Sequence, residues 1–434
     1  MLDSNDPLIA LADTINWEFF EDSFEKYYSK EGRPAKPIRL MVGLLLLKQL
    51  KNLSDEEMIE QWKQNPYYQY FCGFHEFQIA LPCHATDLVY FRKRIGKEGV
   101  KEIFGMSVKL HGKAIEDKQV IIDTTVQEKN VTYPTDGKLA IKMIHQLHHI
   151  AKDEKIQLRR TYVKEIKEHR IKLRFFSHPK KIKKAKASMK RLKTIVGILM
   201  RDISRNLPEE QLKKYQETFD LFTKVTNQKM KDTNKVYSLH EQHIYVVAKG
   251  KDHKKYEYGT KASLVTTMKD NIIIGAVAHE KNVHDSKTLE SALVHANRHR
   301  TKPIVEAICD RGYRGKKEVD GTVICIPDSP KKKDTKYQKE LKRKKFRRRA
   351  AIEPIIGHVK SDHRMQRNYL KGFMGDEINL LLACSAFNLK KWMNNFLALL
   401  FILKILLFMY LLGQIRQERR VKYADMYLIL FRLG

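Results

Sequence analysis

The placement of strand-forming sequence constrains this chain most. A β-branched run, Val-Ile-Ile-Asp-Thr-Thr-Val at 120–126, is followed by turn formers at 133–137. Helix-patterned, highly charged sequence then runs from about 138 to 232 before strand material returns at 243–248, 256–267 and 271–279. Gly250, Gly259 and Gly275 punctuate those later segments in the manner of an antiparallel meander. Any sheet must therefore take its first strand from across a helical insertion. Helical sequence at 286–298, a strand at 303–309, a short helix, a strand at 322–327 and a helix from near Arg348 carrying Glu353 complete the pattern. A meander followed by alternating strand and helix predicts a mixed α/β sheet.

Ahead of the first strand the sequence is helical. Residues 10–30 and 36–51 read as helices, Asn52-Leu53 breaks the second, and Ser54 with Glu57 forms a capping box for a third through Trp62. Turn formers and aromatics fill 65–83, and a further helix starts at Thr86 with Arg92, Lys93 and Arg94 on it. This predicts a helical unit over 1–110. It is either a DNA-binding domain, with Arg92 and Arg94 as candidates to read bases, or a bundle with a solvated basic face.

Charge narrows the partner. Lys plus Arg number 83 against 51 Asp plus Glu, a net charge of +32. That self-repulsion is most easily tolerated beside a polyanion, with nucleic acid the first candidate and anionic membrane the second. The surplus is uneven: 151–200 hold 17 cations against four acids, and 331–349 hold 12 cations, read here as a flexible basic loop that grips DNA backbone. Five cysteines without a CxxC make neither a disulfide framework nor a ribbon-type zinc site. No GxxxxGK[ST] loop exists, so ATP is not expected. Acidic Asp3, Asp6 and Asp13 open the chain in place of a basic, then apolar, leader, so a reducing cytoplasmic compartment is expected. The apolar stretch at 397–412, interrupted by Lys404, is shorter than a usual membrane span and is read as a buried or interface helix, with no membrane partner expected.

Three carboxylates stand beside apolar sequence, where burial is costly without a cation: Asp123 in the first strand, Asp310 after a later one, and Glu353 on a helix flanked by basic residues. Hard oxygen donors of this kind suit Mg²⁺ or Mn²⁺, and two such ions can serve a phosphodiester. Composition alone supports this weakly, because many basic proteins carry acids at strand ends.

The wording around them is more specific. Phe346-x2-Arg349-x3-Glu353-x6-Lys360 is similar to the Tyr-x2-Arg-x3-Glu-x6-Lys signature of insertion-sequence DDE transposases, with Phe346 in place of the tyrosine. Offsets of four and seven put Arg349, Glu353 and Lys360 on one helical face. Ile122-Asp123-Thr124-Thr125, Asn282-Val283-His284-Asp285-Ser286, Asp310-Arg311-Gly312-Tyr313-Arg314-Gly315, Arg367-Asn368-Tyr369-Leu370-Lys371-Gly372 and Ala386-Phe387-Asn388-Leu389-Lys390 look like the same group. The stretch from Pro37-Ile38-Arg39-Leu40 to Phe91-Arg92-Lys93-Arg94-Ile95-Gly96 resembles the helical domain ahead of the core in insertion-sequence family five. The resemblance spans about residues 10–395.

It implies a helical N-terminal DNA-binding domain (1–110), an RNase H-like catalytic domain (118–395) with a mixed five-stranded sheet and the basic insertion 138–232, and a tail (396–434). It also implies catalysis and metal binding by Asp123, Asp310 and Glu353 with Mg²⁺ (Mn²⁺ substituting), two ions in all. Arg349, Lys360, Phe346 and Arg311 would contact DNA. The family's chemistry cleaves a phosphodiester at terminal inverted repeats, and the freed 3′-hydroxyl then attacks target DNA. Double-stranded DNA and a homodimer or higher assembly are the implied partners, in a bacterial, nucleoid-associated setting. A basic DNA-binding protein without catalysis is the competing class, and a membrane-anchored protein is a third. His284-Asp285 precedes a helix, and its default role is capping by Asp285 or Ser286.

Overall fold

In the computed structural model of the chain, residues 2–28, 31, 35–229, 231–251, 254–326 and 331–432 are described. Residues 29–30 of the first expected helix and residue 327 of the last expected strand lie outside them.

Six helices precede the sheet: α1 (Pro7–Thr14), α2 (Glu18–Glu25), α3 (Ile38–Leu50), α4 (Asp55–Gln64), α5 (Pro66–Phe71) and α6 (Ala85–Lys109). The single helix expected at 10–30 is therefore two. Ser54 and Glu57 do form the capping box of α4, and α3 is buried along nearly its whole length, as its apolar sequence requires. Arg92 on α6 departs from its expected role. It is 4% exposed and clasps Asp55 with both guanidinium arms, at 2.9 and 2.6 Å. Burial in this bidentate pair keeps the guanidinium away from base edges. Arg94 stays exposed, stacked over the Tyr28 ring at 4.8 Å.

The sheet has seven strands rather than five: β1 (Gln119–Glu128), β2 (Tyr245–Lys251), β3 (Lys254–Thr267), β4 (Ile273–His279), β5 (Glu306–Ile308), β6 (Glu318–Val319) and β7 (Thr322–Cys325). β3 lies antiparallel to β1 along one edge, and carries β2 and then β4 along the other. β5 continues the sheet parallel to β1, and β7 parallel to β5. The five strands β4-β3-β1-β5-β7 are consistent with the RNase H-like sheet the resemblance implies; β2 and the two-residue β6 are additions. Gly259 on β3 is required by its neighbour: a Cβ there would lie 2.0 Å from the Gln127 carbonyl oxygen.

Between β1 and β2 the insertion forms α7 (Asp136–Asp153), α8 (Val163–Leu173), α9 (Ile182–Asn206) and α10 (Glu209–Asn227). They close over a hydrophobic cluster of their own, with Ile144, Leu147, Leu192, Ile195, Val196 and Phe222 at its centre. A second, larger cluster runs unbroken from the N-terminal helices through the sheet to α11 (Leu289–Asn297) and the later helices.

The basic run at 331–349 is not a loop. It forms α12 (Lys336–Arg349), started by a capping box between Thr335 and Gln338. α13 (Ile352–Asp362) follows after Ala350-Ala351, and α14 runs continuously over Gly372–Arg432. The family-like asparagines are structural here. Asn388 on α14 exchanges hydrogen bonds with the Ile273 backbone (3.0 and 2.8 Å) and ties the helix to β4. Asn368 donates to Asp376, which also takes Lys129 at 2.6 Å and His243 at 2.8 Å in a largely buried network.

Of the two expectations for 397–412, a buried or an interface helix, the buried one fails over 397–410. Residues 397–410 continue α14 away from the core, with Leu397, Leu399, Phe401 and every residue from Leu406 to Tyr410 exposed. Among the described residues, one helix is long and apolar enough to cross a membrane by length and composition: Gly372–Tyr410, whose most apolar 18-residue window has mean hydropathy 1.9.

Candidate active site

Strand register brings Asp123 and Asp310 onto neighbouring chains. β1 and β5 run parallel with Ile121 opposite Ile308, so Asp123 and Asp310 each lie two residues farther along neighbouring chains, on the same face. Neither carboxylate swings freely. Asp123 accepts from the Thr124 N–H at 2.7 Å, and Asp310 caps the turn Arg311–Tyr313 by accepting from the Gly312 N–H at 2.8 Å. Both are half-buried, where an ionised carboxylate gains most from a nearby cation.

A third carboxylate joins them that the sequence reading left as a helix cap. His284, not Asp285 or Ser286, caps the turn after β4, its ring accepting from the Ser286 N–H. Asp285 instead turns inward, accepting from the Thr124 hydroxyl (3.0 Å) and from the ammonium of Lys261 (2.9 Å). Its other oxygen and Oδ1 of Asp310 each lie 3.0 Å from the point a Gly312 Cβ would occupy, so the two are at most 6 Å apart. Lys261 itself is buried on β3 and also donates to the Val283 carbonyl at 2.7 Å. No periodicity marks Lys261 as a site residue; only the pairing of β3 with β1 reveals it.

Beneath these groups lies Tyr313, fully buried, its hydroxyl without a hydrogen-bond partner. Burial pushes that hydroxyl well above its ordinary range, and the charges of Asp123, Asp285 and Asp310 push it further. Next to Lys261, His279 on β4 bonds the Ser263 hydroxyl at 2.8 Å. Burial, aided by the Lys261 charge, pulls its imidazole down to about 4, so it is neutral at physiological pH.

Glu353 comes from the first turn of α13, a helix that packs against β1. Its carboxylate is 61% exposed and held by Arg349 at 3.0 Å. Arg349 is the last residue of α12, so the expected single helical face is interrupted, yet Ala350 and Ala351 keep right-handed helical dihedrals and preserve the spacing of four. The Phe346 ring is exposed and flanks the Arg349 guanidinium at 5.9 Å. Lys360 lies farther along α13, half-buried, and Arg311 sits exposed beside Asp310. Among the described residues no group of three or more His, Cys, Asp or Glu side chains is placed to hold a metal ion, so Asp123, Asp310 and Glu353 do not converge on one metal position here. The donors that do approach one another are all carboxylates, the chemistry that hard divalent cations prefer.

Comparison with known proteins gives this arrangement a family. Residues 1–94 match a transposase domain (DUF772) and residues 235–389 match a transposase DDE domain, which contains Asp285, Asp310 and Glu353. A curated relative, the uncharacterized protein ORF8 in the nfe locus of Rhizobium meliloti, is 41% identical over 176 residues, 39% of this chain and 85% of the relative. The chain belongs to the DDE transposases of insertion sequences. No solved structure matches it. The DDE transposase family acts on DNA and generally uses divalent metal ions. The DDE match begins only at residue 235, so Asp123 and the helical insertion lie in the stretch between the two matched regions.

Proposed function

We propose that this chain is the transposase of an insertion sequence of the family-five type, which binds the element's terminal inverted repeats, hydrolyses the phosphodiester at each end and joins the freed 3′-hydroxyl to target DNA. The observation that supports the reading is the parallel register of β1 and β5, with Asp123 and Asp310 each two residues beyond the paired Ile121 and Ile308 in a DDE-type chain. In this reading Asp123, Asp310 and Glu353 hold the metal, with Asp285 in reserve beside Asp310. When bound, one or two Mg²⁺ or Mn²⁺ ions would neutralise these carboxylates and supply Lewis acidity to the scissile phosphodiester.

The protein's own groups do the rest. Backbone N–H groups at Thr124 and Gly312 fix the rotamers of Asp123 and Asp310. Lys261 offsets the charge of Asp285 and keeps it against β1. Arg349 orients Glu353, and with Lys360 and Arg311 it presents cations to the phosphates flanking the cleaved bond. Two ends must be handled together, so the working form is a homodimer or higher assembly on DNA, in the cytoplasm with the nucleoid.

A second reading, DNA binding without catalysis, draws on one observation: Glu353 is turned to solvent and paired with Arg349. Duplexes carrying the inverted repeats that flank the gene separate the two. Purified protein with Mg²⁺ or Mn²⁺ is expected to nick them at the repeat boundary, while EDTA or Asp310→Asn abolishes nicking. Tight binding with no nicking by the unaltered chain selects the second reading.

A further inference from the structure

The helical insertion carries a cleft of about 510 Å³ between α7 and α8 whose lining is unusual in sign. Lys138, Lys142 and His145 line it from α7, Arg170 from α8 and Arg174 from the residue that caps α8, together with Thr132 and Thr135. No carboxylate lines it, and none of the five cationic or titratable groups has a carboxylate partner among the described residues. Lys138 donates to the Tyr133 carbonyl and Lys142 to the Thr132 hydroxyl, neutral acceptors that leave the charges uncompensated. The acids of α8 are engaged elsewhere, Glu165 by Arg191 and Glu168 by Lys172. Like charges facing one another across a gap cost energy unless a polyanion occupies it.

The fold builds this gap. Lys138, Lys142 and His145 recur at offsets of four and three, one face of α7, and Arg170 and Arg174 share a face of α8. Gly137 lets the two helices close at one end: a Cβ there would lie 2.5 Å from a Leu173 methyl. Ile141 and Leu173 form an apolar floor along which the long cationic stems can lie. From Lys138 to His145, α7 advances about 10 Å. A DNA strand carries one charge per 3.4 Å of axis, so that length faces about three phosphates.

The cleft is also anchored to the catalytic sheet. Its rim begins four residues beyond the end of β1, the strand that bears Asp123. The Asn130 N–H donates to the Asn368 carbonyl at 2.8 Å, tethering the intervening segment to the chain that follows α13.

We propose that this cleft is a second DNA-binding site, a sequence-independent clamp on the phosphate backbone of the duplex whose end is being processed. The proposal rests on the transposase reading for its ligand, but not on catalysis. The test is equilibrium binding of the full-length chain in EDTA to two duplexes, one with the inverted repeat and one scrambled, across a KCl series. For Arg170→Gln/Arg174→Gln the slope of log K against log[KCl] is expected to shrink by about 2, since each neutralised phosphate contributes about 0.9. Both duplexes are expected to lose affinity by the same factor, and Arg170→Lys/Arg174→Lys to retain most of the slope. An unchanged slope overturns the clamp, and so does a loss that the lysine pair fails to restore. Failure of the unaltered chain to bind either duplex would overturn both this proposal and the transposase reading. Binding without cleavage would touch only the latter.

Discussion

Asp285 shows what a residue can hide. As a residue after His284 and before Ser286 it reads as one of several helix caps, and sequence spacing gives no reason to prefer another role. Folding assigns the cap to His284 and sends Asp285 to Lys261 and Thr124, beside Asp310. Removing its charge leaves Lys261 buried without its carboxylate and loosens the wall next to Asp310. Asp285→Asn is therefore expected to slow metal-dependent end cleavage about 10–100-fold, the usual penalty for a group that orients metal ligands. Single-turnover nicking and Mn²⁺ titration would read this; wild-type rate and metal affinity in the variant would sink the assignment. The Asp55 cluster teaches the reverse lesson. Arg92 looked like a base reader from its basic neighbours, but it and Lys48 converge on Asp55 in a largely buried site. Burial pulls the Lys48 ammonium down to about 8 despite the Asp55 charge. Asp55→Ala strands two cations and is expected to cost about 3–5 kcal/mol, measured by urea unfolding.

At the scale of elements, what the sequence made legible was the strands and the caps; what it hid was pairing. The runs at 120–126, 256–267 and 271–279 each became a strand, because alternating or continuous β-branched sequence leaves few other ways to bury itself. Their order in the sheet depends on contacts between segments more than a hundred residues apart, and β2 and β4 sharing one edge of β3 has no local signature. The basic run at 331–349 is a helix and not a loop for a physical reason. Lys, Arg, Gln and Glu are good helix formers, and Thr335 with Gln338 supplies a cap, so α12 forms although all its faces are polar. Another consequence lies at the junction of α6 and α11, where His295 and His299 pack against Phe104. Burial pulls their imidazoles from 6.5 to about 3 and about 4, with nearby Lys and Arg charges adding to the shift. The unfolded chain binds protons at these rings that the folded one refuses, so stability is intact above pH 6.5 and falls as pH drops from there toward 4. Each ring contributes up to about 1.4 kcal/mol per pH unit in that window. Denaturant midpoints are expected to decline between pH 6.5 and 4.5, and less steeply in His295→Gln.

The whole molecule divides into a body and a projecting helix. α14 belongs to the body as far as Met393, where Leu380 to Ala386 and Leu389 are core residues, and Trp392 stacks on Phe396 at the exit. Beyond that, the side chains from Leu397 to Tyr410 are exposed, apart from a half-buried Leu400, although the sequence is as apolar as a core helix. Sequence alone could not foresee this, because an apolar helix announces that it must be covered without naming what covers it. The DDE match ends at residue 389, so the family resemblance and the packed body stop together. A chain ending at Phe396 should therefore retain the buried core of the body. Its melting temperature is expected within about 2 °C of the full chain, because losing exposed side chains such as those of 397–410 changes stability by about 0.5 kcal/mol or less. End cleavage should persist, and the truncated chain should aggregate less than the full chain at equal concentration, as read by light scattering. A truncated protein that melts far lower, or loses cleavage while still binding DNA, would mean that the projecting helix is part of the working transposase and not an addition to it.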